Sequence, residues 1–434
     1  SSCSSDMRQM AGDMIYAYSN IATTISQPVK TRGVIIWTYD EASMDKMAEL
    51  TANDGDYSTF YGYIGTISNP ILTKIDEASG SEAAKKQIKC EALALRAYSF
   101  YMLINKFAKA YDPSTAANTP GIILMTEDKD IQTPQPKSTV EEVYTQILKD
   151  INEAIDLGGL PDVAVNKMRL CKPAAYAIKA LTLLNMQKWD EAEEAAKQAL
   201  AINGAVNDYN NAYQGTAQGY LAGGTYPIIN RGQKGTDEDY FYDNSFEFYN
   251  CSAPETMANF EDGHAYKEKM SCANMTYDYM MDASESILGE PGFNITCDLN
   301  SRWNDGGLRS TQMYLAIAEC ETHKGNFDTA MEYLDKVRIN RIDPAKYQPL
   351  KGTVSTEKDA IAHVKQVTLN EDIYSSFIFI DKKRWNQLDG WKQSYSRTLA
   401  GKTYTIAPDN KMWIFPFPMS VMNNNDKITQ NYNE

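Results

Sequence analysis

A repeated spacing constrains this chain most. From Arg309 to Arg341 the sequence reads as two amphipathic helices joined at Lys324-Gly325-Asn326. In the second helix Phe327, Ala330, Leu334 and Val337 fall at offsets 0, 3, 7 and 10, which places all four on one helical face. The same offsets return at Trp189, Ala192, Ala196 and Ala199, and at Tyr144, Ile147, Ile151 and Ala154. A single helix hairpin cannot bury its apolar face, so a hairpin pattern of this kind predicts stacked copies. The residue before the aromatic (Lys188, Asn326) and the alanine three positions after it (Ala192, Ala330) resemble the second helix of a tetratricopeptide repeat.

The 434 residues suffice for a large core or for two to three domains, and the 43% hydrophobic content marks a globular chain. The net charge of −15 is spread along the sequence, which argues against nucleic acid because phosphate binding needs basic patches. No apolar run is long enough to span a bilayer and no signal peptide is read; Ser1 is compatible with a processed or an engineered start. Seven cysteines include no CxxC pair. Cys90, Cys171 and Cys320 lie in expected helices as small buried side chains, whereas Cys251, Cys272 and Cys297 fall in an irregular stretch where pairing stays open. The three histidines, His264, His323 and His363, are far apart and form no zinc motif.

Along the chain, helix is expected over Met7 to Ser26, Asp56 to Ala78 (Tyr-rich on its first turns), Glu82 to Phe107, from Ser138 or Thr139 onward, and through a hairpin at Lys172 to Ile202. Thr31 to Thr38 reads as a β-branched stretch or loop. Pro113, Pro120, Pro134 and Pro136 prevent a continuous helix between Tyr111 and Lys137. Asn203 to Gly307 is rich in Gly, Asn, Tyr and Asp, with little periodicity but dense aromatics. Helix resumes at Leu308 and again over Thr356 to Leu388, and Lys411 to Phe415 reads as a short strand. The expected fold is therefore all-α. It is a tetratricopeptide-like hairpin scaffold over residues 1–204, a loop-rich ligand-binding region over 205–307, and a last hairpin with a C-terminal strand region over 308–434.

Several stretches resemble the SusD/RagB family of outer-membrane nutrient-binding lipoproteins. The ending Lys411-Met-Trp-Ile-Phe-Pro-Phe-Pro418, with Asn425 and Ile428-Thr-Gln-Asn431, is similar to the family's terminal strand, "P-I-P" and "T-Q-N". Glu91-Ala92 with Leu95-Arg96-Ala97-Tyr98 matches E-A-x-x-L-R-A-Y, and Asn69 with Tyr61 and Ile64 resembles the helix before it. Val143-Tyr144 with Asp150-Ile151 and Ala154, and Leu308-Arg309 through Glu319, resemble two further motifs. There are departures: Ser375-Ser376-Phe377-Ile378 stands where the family has E-G-x-R, although Asp381 and Arg384-Trp385 remain, and Phe107 to Pro113 replaces "Y-G-x-x-P". The resemblance implies a lipid anchor, for which Cys3 is the candidate in view, and a SusC-like TonB-dependent barrel as partner.

No nucleophile motif or Walker loop is present, and Glu141-Glu142 and Glu193-Glu194 read as solvated helix faces, so no enzyme activity, cofactor or metal is assigned. Asp54-Gly55-Asp56 reads as a turn with a helix cap, or less readily as calcium oxygens. The binding reading rests on aromatics, because sugar C–H faces pack on flat rings. With the family's ligand regions as guide, it points to Arg32, Trp37, Tyr39, Tyr240, Tyr242 and Trp303; of the other tryptophans, Trp189, Trp385 and Trp413 fit the scaffold and Trp391 lies by a loop. The expected function is a cell-surface lipoprotein of a Bacteroidetes-type outer membrane that binds oligosaccharide and delivers it to the barrel. The alternatives are peptide or protein-fragment capture, and a helical-repeat scaffold that binds only proteins.

Overall fold

The computed structural model describes residues 6–11, 14–16, 27–127, 133–212, 236–243, 250–252, 254–272, 296–298, 304, 306–373, 375–399 and 401–434. The scaffold begins with α1 (Asp6–Ala11), β1 (Met14–Tyr16), α2 (Gln27–Trp37), α3 (Met44–Leu50), α4 (Gly55–Gly62) and α5 (Asn69–Lys74). A π-helical turn over Tyr63–Ser68 joins α4 to α5. The long α6 (Glu82–Phe107) and α7 (Val140–Asp156) then pair as the first hairpin, α8 (Lys172–Asn185) and α9 (Trp189–Ile202) as the second, and α10 (Ser310–His323) and α11 (Phe327–Arg338) as the third. α7 packs on α8 and α9 on α10, so the hairpins stack in chain order although a hundred residues separate α9 from α10. α12 (Glu357–Glu371) packs on α10 and α11, and α13 (Ser376–Trp385) packs against α1.

The offset pattern describes the second helix of each pair. Tyr144, Ile147, Ile151 and Ala154 are all buried, as are Ala192, Ala196 and Ala199, and Ala330, Leu334 and Val337. The aromatic at offset 0 is buried only at Tyr144; Trp189 and Phe327 are partly exposed. α7 starts with a capping box in which Thr139 and Glu142 satisfy each other's backbone N–H groups. The turn between α10 and α11 uses Gly325 at φ +79°, a conformation that favours glycine.

Several expectations are corrected. Thr31 to Thr38 lies in and just after helix α2, since tertiary packing of Ile35, Ile36 and Trp37 overrides β-branched propensity. The first helix ends at Ala11 and a strand follows, so Met7 to Ser26 is not one helix. Lys411–Trp413 is a 3-10 turn whose cap Asn410 accepts from the Met412 N–H, not a strand. The C-terminal strands lie earlier, in the hairpin β7 (Tyr395–Leu399) and β8 (Lys402–Ile406).

Within 205–307, β2 (Asp239–Phe241) pairs antiparallel with β6 (Leu308–Arg309), which leads into α10. β3 (Asn250–Ser252), β4 (Ser271–Cys272) and β5 (Thr296–Asp298) join β1 in a sheet of order β1-β3-β5-β4. Its register sets Cys251 and Cys272 each opposite Cys297. Cys90, Cys171 and Cys320 are buried free thiols.

Candidate functional site

The residues that carry the motifs meet inside the protein. Arg96 on α6 donates from Nε and Nη2 to the two carboxylate oxygens of Asp150 on α7, each at 2.7 Å. Its Nη1 donates to Asn69 Oδ1 at 2.9 Å and to the Thr126 carbonyl at 3.0 Å. Asn69 Nδ2 in turn donates to the carbonyls of Met125 and Glu127, at 2.9 and 3.0 Å. Tyr61 on α4 donates to the Ile123 carbonyl at 2.8 Å. Side chains of the helices thus fasten the backbone of residues 123–127, which has no strand partner among the described residues. Burial pushes Asp150 upward in spite of Arg96, so this ion pair contributes more to geometry than to net stability. Gly121 lies just before this segment, where a Cβ would sit 2.8 Å from the Ser138 carbonyl, a contact only glycine tolerates.

The segment forms one wall of an open groove of about 750 Å³. That volume lies within the roughly 300–1,000 Å³ of small-molecule sites. α4 forms a second wall, with Tyr57, Ser58 and Tyr61, and Thr66 lies on the turn beyond it. The far rim is Thr133 to Gln135 together with Ser420 to Asn425 of the tail. Asn425 donates to the Gln135 carbonyl at 2.8 Å and ties the two rim segments together. Tyr57 and Tyr61 lie one helical turn apart with ring centroids 4.5 Å apart. Behind them Tyr57 packs edge-on against Phe107 and Phe417, at 5.6 and 6.2 Å. Phe417 is fixed by reciprocal bonds with the Gln430 amide, and Asn431 donates to the carbonyls of Phe107 and Phe415. The terminal "T-Q-N" therefore braces the tyrosines from the rear. Burial raises both tyrosine hydroxyls well above their ordinary range, so both stay neutral.

The residues singled out in the sequence lie elsewhere and do not form one site. Trp37 is 4% exposed, with its indole N–H on Gln9 at 2.6 Å. Tyr39 is 5% exposed and its hydroxyl accepts from Arg397. Arg32 is committed to Asp6. Tyr240 is buried with its hydroxyl on the Asn203 carbonyl, and Tyr242 is buried beside it. As placed, none of these four aromatic rings offers an open face, because large rings that fasten loops are first recruited to the interior. Trp391, read as a loop residue, is also buried, against Trp385. Trp303 and Cys3 lie outside the described residues. Asp54 caps α4, and Lys106 Nζ donates to Asp54 and Asp56, each at 2.7 Å, so an ammonium takes the place proposed for calcium. The Tyr cluster at the start of α4 was visible in sequence and was the signal for the groove; the Ser, Thr and Asn residues around it carry no periodic mark.

Residues 6–184 match the family SusD-like_3, described as starch-binding and associating with the outer membrane, and residues 306–433 match SusD_RagB, the SusD family. The chain is also similar to solved structures. A SusD superfamily protein of Bacteroides thetaiotaomicron is 17% identical with TM-score 0.70, over 99% of this chain and 95% of that one. A SusD-like carbohydrate binding protein of Bacteroides vulgatus is 19% identical with TM-score 0.61, over 98% and 95%. A SusD superfamily protein of Bacteroides fragilis is 19% identical with TM-score 0.63, over 98% and 92%. A comparison with curated proteins returned no match. Stacked helical hairpins bearing an open groove define a scaffold of the tetratricopeptide-like class. The chain belongs to the SusD/RagB family, a family of binding proteins.

Proposed function

We propose that this chain is a surface lipoprotein that captures oligosaccharide and passes it to a SusC-like TonB-dependent barrel in the outer membrane. The observation that supports it is the open groove, walled by a braced tyrosine pair and neutral polar side chains, on the scaffold of a family described as starch-binding. Sugar rings bring apolar faces and many hydroxyls, and this groove offers partners for both. Among the described residues no helix is long and apolar enough to cross a membrane. The family's association with the outer membrane supports attachment through a lipid, with Cys3 as the proposed acceptor. The loop-rich region over 205–307 is proposed to add ligand contacts beside the scaffold, with Trp303 the residue there to test.

The test has two arms. Full-length protein recovered from native outer membranes should carry lipid on Cys3 by mass spectrometry and bring a TonB-dependent barrel with it. On a glycan array it should retain oligosaccharide. Lipid-free protein recovered without a barrel removes the transport half, and retention of peptides but no glycans replaces sugar with peptide capture.

A further inference from the structure

We infer that Cys251, Cys297 and Cys272 form an oxidisable row in which the central Cys297 carries a disulfide to one neighbour and can pass it to the other. This covalent chemistry is independent of what the groove binds.

The strand register carries it. By spacing alone, three cysteines allow three pairings. The sheet order β1-β3-β5-β4 places Cys297 on the strand between the other two, directly opposite Cys251 on β3 and directly opposite Cys272 on β4. Directly paired residues of an antiparallel ladder share one face of the sheet, with Cα atoms about 4.5 to about 5.5 Å apart. That span lies inside the roughly 4.4–6.8 Å that a disulfide bridges. Cys251 and Cys272 are two strands apart, roughly 9.5 Å, which is beyond the reach of one bond. Two pairings remain, and both need Cys297, so one bond forms and one thiol is left over.

Bond formation removes two protons and two electrons from a pair of thiols. The acceptor is a protein disulfide of the thiol-oxidising class, which is released as a dithiol; chains of a family described as associating with the outer membrane cross a compartment that holds such oxidants. Transfer along the row then needs no further oxidant. A Cys272 thiolate attacks the Cys297 sulfur, the Cys272–Cys297 bond forms, and Cys251 leaves as the thiolate. The two bonds tie β5 to different parts of the molecule. Cys251 is on the strand that pairs with β1, which follows α1. Cys272 closely follows a segment docked at the end of α11, where the Ala265 N–H donates to the Arg341 carbonyl at 2.8 Å and Arg338 donates to Glu261 at 2.6 Å. Passing the bond therefore moves the tether of β5 from the start of the scaffold to its third hairpin.

Peptide mapping tests this on full-length protein from native outer membranes, unfolded and alkylated without reductant. Cys297 should be recovered in disulfides with both Cys251 and Cys272, while Cys90, Cys171 and Cys320 are alkylated. Cys251→Ser should leave the Cys272–Cys297 bond, and Cys272→Ser the Cys251–Cys297 bond. Cys297→Ser should leave no bond between Cys251 and Cys272. Should that variant fail to accumulate, the wild type and the other two still decide. Alkylated Cys297 in wild-type protein, or a Cys251–Cys272 bond in any of the four proteins, overturns the row. One bonded form alone in the wild type, while both of the other serine variants form theirs, overturns the transfer.

Discussion

The two halves of the scaffold use buried charge in different ways. In the first half the Arg96–Asp150–Asn69 network ends on backbone carbonyls that form the wall of an open groove. In the second half the arginines bond mainly to carboxylates, although Arg341 also donates to the Asn207 carbonyl and Arg309 to that of Glu371. Arg341 joins Glu371 and Glu238, Arg309 joins Glu371 and Asp372, and Arg384 joins Glu319 and Asp381. Glu319 also accepts from the Trp385 indole at 3.0 Å. Both networks include residues of the family motifs (Asn69, Arg96 and Asp150 in the first; Arg309, Glu319, Asp381 and Arg384 in the second), yet among the described residues the first borders the open groove. These motif residues therefore encode how helices are held, and the neutral side chains that line the groove, Tyr61 and Asn425 apart, lie outside the motifs.

The largest effect that separates the halves comes from removing the arginines. Arg96→Ala and Arg384→Ala should each cost about 3 kcal/mol or more in denaturant unfolding, because each strands a buried carboxylate. At a temperature where both variants remain folded, Arg96→Ala should also lose glycan affinity while Arg384→Ala keeps it. Equal affinities would erase the distinction between the halves.

Acid should break the second half next. Burial works against the Glu319 carboxylate, but Arg384 outweighs it and holds the group down at about 2; Glu371 is held low in the same way by Arg341. Such lowered groups stabilise fully above their unfolded value of about 4.5, and the stabilisation is lost as pH falls toward 2. Burial also lowers His264 to about 3, so the unfolded chain gains a proton first as pH falls below 6.5. Burial pushes Asp372 up to about 6 and Asp381 up to about 7, which opposes this loss until their unfolded value of 3.8 is passed. The Tm should therefore fall most steeply below about pH 4, as read by circular dichroism. A flat profile from about pH 4 to about pH 2.5 contradicts it.

A smaller effect distinguishes two carboxylates on one guanidinium. Arg384 cannot neutralise both, and Glu319 takes the charge. Asp381→Asn should then cost under about 1 kcal/mol at about pH 6, below the raised Asp381 value, while Glu319→Gln costs about 3. The smallest effect is expected at the groove rim, where Asn424→Ala should leave Tm unchanged and weaken glycan binding a few-fold.

The scaffold was legible because its signal is periodic. The span of Glu82–Phe107 and the hairpin at Lys172–Ile202 follow from helix formers, spacing and a first-turn proline, which local physics decides. Thr31 to Thr38 failed because packing of α2 against α1 outweighs local propensity. The groove was not legible for a related reason. Aromatics were read as ligand platforms, but Trp37, Tyr39 and Tyr240 are more useful inside, each with its polar tip satisfied. The groove depends on side chains from α4, a proline-punctuated excursion and the tail, brought together only by the fold. Nothing in the spacing of Ser58, Thr126 or Asn424 announces that meeting.

α1 is moored by three cations. Arg32 grips Asp6, Lys106 lies 3.6 Å from the same carboxylate, and Arg397 donates to the carbonyls of Gln9 and Met10, each at 2.8 Å. Burial alone would lower the Lys106 ammonium, but Asp54, Asp56 and Asp6 outweigh it and hold the charge in place. Mechanically this is a load path. A pull on the chain ahead of Asp6 passes sideways through ion pairs into the end of α6, the longest helix, and across to the β7 strand. Force on a tether would then swing the body as one rigid piece instead of peeling its first helix away, and the groove, fastened to the same α4 and α6, would swing with it.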